Sequence, residues 1–85
     1  MTYRIEFTTL AQKELAKLPK IIAVSISKKI NGLAVNPYPS GFKKLSGIDN
    51  AYRVRIGDYR VIYRIFANVL VIEVIKIGHR KSVYK

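Results

Sequence analysis

The sequence predicts an α+β fold: an N-terminal strand, a helical hairpin, then an antiparallel β-meander forming one twisted sheet packed on the two helices. Three observations predict it. Apolar residues alternate with charged ones at the start, recur at helical spacing through residues 9–33, and alternate again or run together from residue 51 to residue 77. Tyr3, Ile5 and Phe7 alternate with Arg4 and Glu6, so residues 3–7 read as a strand with its apolar side inward. Thr8 and Thr9 follow with N-cap hydroxyls, and Gln12 stands three after Thr9, as a capping box requires. Ala11, Leu15 and Leu18 then fall on one helical face. Pro19 ends this helix and is suited to open a second, in which Ile22, Ile26, Ile30 and Leu33 make one stripe until Asn36-Pro37 stops it. So short a link folds the helices back on each other and leaves Lys13, Lys17, Lys20, Lys28 and Lys29 on their outer surface.

Pro37, Pro39, Gly41 and Gly47 punctuate the basic stretch around Lys43 and Lys44, which reads as a loop with room for a short strand. Tyr52, Val54 and Ile56 then alternate with Arg53 and Arg55, and Gly57-Asp58 supplies a tight hairpin turn. On the returning strand Tyr59, Val61, Tyr63 and Ile65 define the apolar side, opposite Arg60, Ile62 and Arg64. After a turn at Ala67-Asn68, residues 69–77 are almost unbroken aliphatic side chains, interrupted by Glu73 and Lys76, the pattern of a strand buried on both faces. No repeat or linker divides the chain, so its 85 residues form a single domain spanning 1–85.

The composition excludes several classes of function. With 49% hydrophobic residues the chain is no disordered basic tail. It has no cysteine, which rules out a cystine-stapled scaffold and a thiolate zinc site and fits a reducing, cytoplasmic location. The N-terminus carries charges where a signal peptide needs an apolar run, and no uncharged stretch is long enough for a membrane span. No membrane partner is expected. Sixteen Lys and Arg against five Asp and Glu give a formal net charge of +11, which calls for a polyanionic partner.

The placement of that charge narrows the chemistry. Five of the six arginines, Arg53, Arg55, Arg60, Arg64 and Arg80, lie in the C-terminal half, whereas lysines dominate the helices. A guanidinium grips phosphate through two parallel hydrogen bonds, so the sheet is the candidate phosphate-contacting surface. Across a tight hairpin Arg53, Arg55 and Arg60 converge in one patch, although arginines on one side of a hairpin also suit a merely solvated face. The acids Glu6, Glu14, Asp49, Asp58 and Glu73 are dispersed without metal-ligand spacing, which disfavours a metal-dependent nuclease, and neither a nucleophile elbow nor a P-loop is present. No metal or other cofactor is expected. RNA cleavage suits what remains, because the substrate brings its own 2′-hydroxyl nucleophile and the protein need only align it and neutralise phosphoryl charge. His79 and Tyr84 are the local candidates for proton transfer; each also has a bland alternative, an exposed ring and a C-terminal docking anchor.

The block Tyr52-Arg53-Val54-Arg55-Ile56-Gly57-Asp58-Tyr59-Arg60-Val61-Ile62-Tyr63, flanked by Lys44-Leu45-Ser46-Gly47 and by Ile77-Gly78-His79-Arg80 with Val83-Tyr84, resembles the RelE/ParE superfamily of toxins. The resemblance implies the toxin of a type II toxin–antitoxin system. In its RelE branch such a toxin enters the ribosomal A site and cleaves bound mRNA without a metal. It also implies a RelB-like antitoxin, a toxin–antitoxin hetero-oligomer and a monomeric free toxin. By that resemblance the catalytic positions fall on Arg53, Arg55, Arg60, Arg80 and Tyr84, with His79 beside them. The RNA and ribosome contacts fall to Lys13, Lys17, Lys20, Lys28, Lys29, Lys43, Lys44, Arg64 and Lys81. Familiar RelE members carry lysines where Arg53 and Arg55 stand here. Arginine does not lose a proton at ordinary pH, so these two would bind phosphate and stabilise charge, leaving proton transfer to His79, Tyr84 or solvent. Two alternatives stand beside this one: a ParE-like inhibitor of DNA gyrase, and a basic RNA-binding module without catalysis.

Overall fold

The computed structural model describes residues 2–79, so Arg80, Lys81 and Tyr84 lie outside the described residues. Its elements are β1 (Arg4–Phe7), α1 (Thr9–Ala16), α2 (Lys20–Leu33), β2 (Lys43–Lys44), β3 (Ala51–Ile56), β4 (Tyr59–Phe66) and β5 (Val71–His79). The strands form one mixed sheet in the order β1-β5-β4-β3-β2. All neighbours are antiparallel except β1, which lies parallel to β5. The helices cover one side of this sheet, α1 against β5 and α2 against β3.

The helical hairpin forms much as its sequence dictates, with two shifts at the ends. The N-cap is Thr8 rather than Thr9: its hydroxyl accepts from the Ala11 amide at 3.1 Å and donates to the Ile75 carbonyl at 2.9 Å. The cap therefore fastens α1 to the sheet as well as satisfying a helix-end amide, and Thr9 becomes the first helical residue. The first helix stops at Ala16, three residues short of Pro19, and Pro19 takes the N-cap position of α2. Ile26, Ile30 and Leu33 of α2 are fully buried with Ala11 of α1 against Val54, Val61, Tyr63, Ile65, Ile72, Val74 and Ile77. Burying such side chains contributes roughly 1.5–3 kcal/mol each.

Two details of the sheet control where side chains point. The β3–β4 hairpin turns through Gly57 and Asp58, with Gly57 at φ +60°, a conformation that glycine adopts without a Cβ penalty. In the β4–β5 ladder Ile62 pairs with Lys76 but Tyr63 pairs with Val74, so Ile75 is a bulged extra residue. The bulge falls where β1 ends, since β1 covers β5 only as far as Val74. Beyond that point α1 closes the edge of β5: Thr8 bonds the Ile75 carbonyl, and the Glu14 carboxylate accepts from the Ile77 amide at 2.9 Å. A strand edge left bare here would expose unpaired backbone groups.

Candidate functional site, a guanidinium face on the open side of the sheet

Side chains alternate along β3 and β4, so packing Tyr52, Val54, Val61 and Tyr63 against the helices sends their neighbours to the opposite side. Arg55 pairs directly with Arg60, and Arg53 pairs with Ile62, one step along on the same side. The expected convergence of Arg53, Arg55 and Arg60 is thus a consequence of register. Lys43 pairs with Arg53 from β2, and Arg64 sits opposite Ala51. Like charges facing each other across strands oppose folding, so this face is held together by the apolar packing beneath it.

Solvent access differs among these cations. Arg55 is exposed and Arg60 half-buried, while Arg53 retains only 6% of its surface. The Arg64 guanidinium lies 5.0 Å over the ring of Phe66, and its Nε is buried without a hydrogen-bond partner. Among the described residues, no carboxylate comes within ion-pair distance of Arg53, Arg55 or Arg64; the Arg4–Glu6 pair, at 2.9 Å, lies across the sheet on β1. Glu73 is the cross-strand partner of Arg64, whereas the positions facing Arg53 and Arg55 hold Lys43, Ile62 and Arg60. Guanidinium groups with no carboxylate facing them are suited to an anion brought from outside.

The remaining sequence candidates separate. Lys43 belongs to the guanidinium face, but Lys44 pairs with Tyr52 and lies on the other side of β2. Lys13, Lys17, Lys20, Lys28 and Lys29 are exposed on the helices, on the side of the sheet opposite the arginines. His79 is the described catalytic candidate that the structure keeps apart from the arginines. It pairs with Tyr59 on the helix side, ring centroids 5.6 Å apart and edge to face, while Gly78 is the residue opposite Arg60. The bulge explains this, because strict alternation from Ile72 and Val74 would send His79 to the arginine side and one extra residue reverses the phase.

The same reversal brings Lys76 to the guanidinium face, where sequence reasoning did not place it. The signal available was the run Val74-Ile75, two apolar residues in succession before Lys76 and Ile77. Near Tyr59 an open groove of about 330 Å³ is lined by Ile21, Ile22, Ser25, Ile56, Gly57 and Asp58, and Ile21 is 86% exposed. Among the described residues, no group of three or more His, Cys, Asp or Glu side chains is placed to hold a metal ion. No helix among them is long and apolar enough to cross a membrane.

At the far end of β3 and β4, buried Tyr63 donates its hydroxyl to the Pro37 carbonyl at 2.8 Å. Burial first, then the neighbouring phenols of Tyr38 and Tyr52, holds Tyr63 protonated well above the ordinary tyrosine range. Tyr38 is raised by desolvation and by Tyr52.

The fold and this face define a class: a small basic α+β domain that gathers arginines on the side of the sheet opposite its two helices. Residues 5–84 match the family described as ParE toxin of type II toxin-antitoxin system, parDE. The chain therefore belongs to that toxin family. Toxin RelG of Mycobacterium tuberculosis is 29% identical over 86 residues, covering 100% of this chain and 99% of the relative. The mRNA interferase toxin RelE of Escherichia coli K12 is 28% identical over 83 residues, covering 95% and 86%. The crystal structure of the archaeal RelE–RelB complex from Pyrococcus horikoshii OT3 superposes with a TM-score of 0.84 at 33% identity, covering 98% of this chain and 100% of that one. The matches span nearly the whole chain, as the sequence resemblance implied, and these relatives agree with its RelE branch.

Proposed function

We propose that this chain is the toxin of a toxin–antitoxin pair and an mRNA endoribonuclease that acts on ribosome-bound messages without a metal. The observation that carries the reading is the direct pairing of Arg55 with Arg60, with Arg53 beside them, on the sheet face opposite the two described helices. The 2′-oxygen of a ribose attacks the adjacent phosphorus as the bond from phosphorus to the 5′-oxygen breaks, leaving a 2′,3′-cyclic phosphate and a 5′-hydroxyl. Charge grows on the non-bridging oxygens, where fixed guanidiniums in a partly desolvated site stabilise it without reorganising. Arg60 and Arg80 clamp the scissile phosphate, while Arg53 and Arg55 add electrostatic stabilisation. None of the four can accept the 2′ proton. Since His79 pairs with Tyr59 on the other side, Tyr84 and solvent remain for the proton transfers.

The E. coli relative named an mRNA interferase supports the reaction class, and the RelE–RelB complex supports a RelB-like antitoxin as partner. Such an antitoxin would match the surface with acidic residues for the arginines and apolar ones for the groove beside Ile21. The ParE description of the matching family favours a second reading, inhibition of DNA gyrase. Mapping message ends after addition of the purified chain to a translating extract decides between them. Cuts confined to translated messages and undiminished by a chelator are expected. Intact messages together with inhibited supercoiling would overturn the nuclease reading in favour of the second.

A further inference from the structure

Tyr38 and Phe42 stand in the loop before β2 with 46% and 37% of their surfaces exposed. Their ring centroids are 5.4 Å apart, and the rings rest on Tyr52 at 5.5 and 6.0 Å. Tyr52 stacks in turn on buried Tyr63 at 6.0 Å and 30°, and the Tyr63 hydroxyl pins the loop through Pro37. The exposed rings are thereby held in place from below. Rigid aromatic surface of this kind binds a flat ligand with little loss of side-chain freedom.

The charge around the rings identifies the ligand. Lys44 pairs with Tyr52, on the ring side of β2, whereas Lys43 pairs with Arg53 on the guanidinium face. Both lysines are exposed. The edge strand thus carries one cation on each side, joining the guanidinium face to the rings around the rim of the sheet. From Arg60 on β4 to Lys43 on β2 is two strand spacings across and two residues along, roughly 12 Å. Aromatic faces flanked by cations along a track match single-stranded nucleic acid, whose bases stack while its phosphates follow the charges.

We propose that Tyr38 and Phe42 form a stacking platform for unpaired bases of the message a few nucleotides away from the cleaved bond, with Lys43 and Lys44 holding the phosphates that cross the edge of β2. The proposal rests on the RNA-cleaving reading of the guanidinium face and extends it to a contact outside that face. Stacking tolerates any base, so the platform contributes affinity and register rather than a strict sequence code.

The test uses the full chain carrying Phe42→Trp, whose indole is the sole tryptophan of the protein. The probe is a 2′-O-methyl RNA oligonucleotide, which lacks the nucleophile and is not cut. Binding should quench the indole. Phe42→Leu should weaken binding about tenfold with its salt dependence unchanged, and Lys44→Gln should lower the salt slope by about one phosphate contact. Tyr38→Leu provides a second ring variant should Phe42→Leu melt early. An indole left unquenched by bound oligonucleotide overturns the proposal, as does one quenched equally by a glutamate-rich peptide. Cleavage of ribosome-bound messages with an unquenched indole removes the platform and leaves the nuclease; quenching without cleavage does the reverse.

Discussion

The two sides of the sheet in this protein are built from the same strands and do opposite work. On the helix side Val54, Val61, Tyr63, Ile72, Val74 and Ile77 are almost completely buried against α1 and α2. On the other, Arg53, Arg55, Arg60 and Arg64 share a surface with Lys43 and Lys76. Repulsion among those cations opposes folding, and the apolar side offsets it. Activity and stability are therefore separable here by substitution, residue by residue along a single strand.

Arg60→Ala should show the largest effect and break the comparison on one side only. Under the proposed reaction, removing this guanidinium is expected to slow cleavage about a hundred- to a thousand-fold, while the protein stays folded at the assay temperature. A mutant that loses activity in proportion to its folded fraction would mean that Arg60 is structural. Ile30→Ala breaks the other side: emptying a fully buried position should cost about 2–5 kcal/mol and lower the melting temperature by roughly 10 °C or more. Cleavage per folded molecule should stay at the parent level, which a titration of active toxin checks.

Tyr63→Phe sharpens the contrast within the apolar side. Losing the hydroxyl strands the buried Pro37 carbonyl, at a cost of about 1–3 kcal/mol near neutral pH. Because the folded protein holds Tyr63 protonated above the ordinary value near 10, the unfolded chain releases this proton first as pH rises. The contribution of Tyr63 is thus complete below about pH 10 and declines above it. Chemical denaturation between neutral pH and about pH 11 should show a shallower alkaline loss in Tyr63→Phe. The smallest effect belongs to Arg4→Ala, which removes an exposed pair with Glu6 and should shift stability by less than about 0.5 kcal/mol in the same assay.

Much of the guanidinium face was legible because strand alternation is local. Tyr52, Val54 and Ile56 can turn inward together only if Arg53 and Arg55 turn outward, and the short Gly57-Asp58 turn then sets Arg60 opposite Arg55. His79 and Lys76 were not legible in the same way. Their sides depend on the bulge at Ile75, which sits where β1 runs out and where Thr8 and Glu14 of the α1 segment bond the strand edge. The Tyr38–Phe42 pair was hidden for a related reason: nothing in a loop sequence says that it will rest on Tyr52 and be pinned by the Tyr63 hydroxyl.

By itself the sequence determined the order of elements, the stripe Ile26, Ile30 and Leu33 that meets the sheet, and the outward arginines of β3 and β4, since each follows from spacing within a few residues. Tertiary structure decided the parallel seat of β1 on β5, the choice of Thr8 as cap and the phase of β5 beyond Val74. Those depend on backbone groups far apart in the chain finding hydrogen-bond partners, a requirement that no local pattern of side chains records.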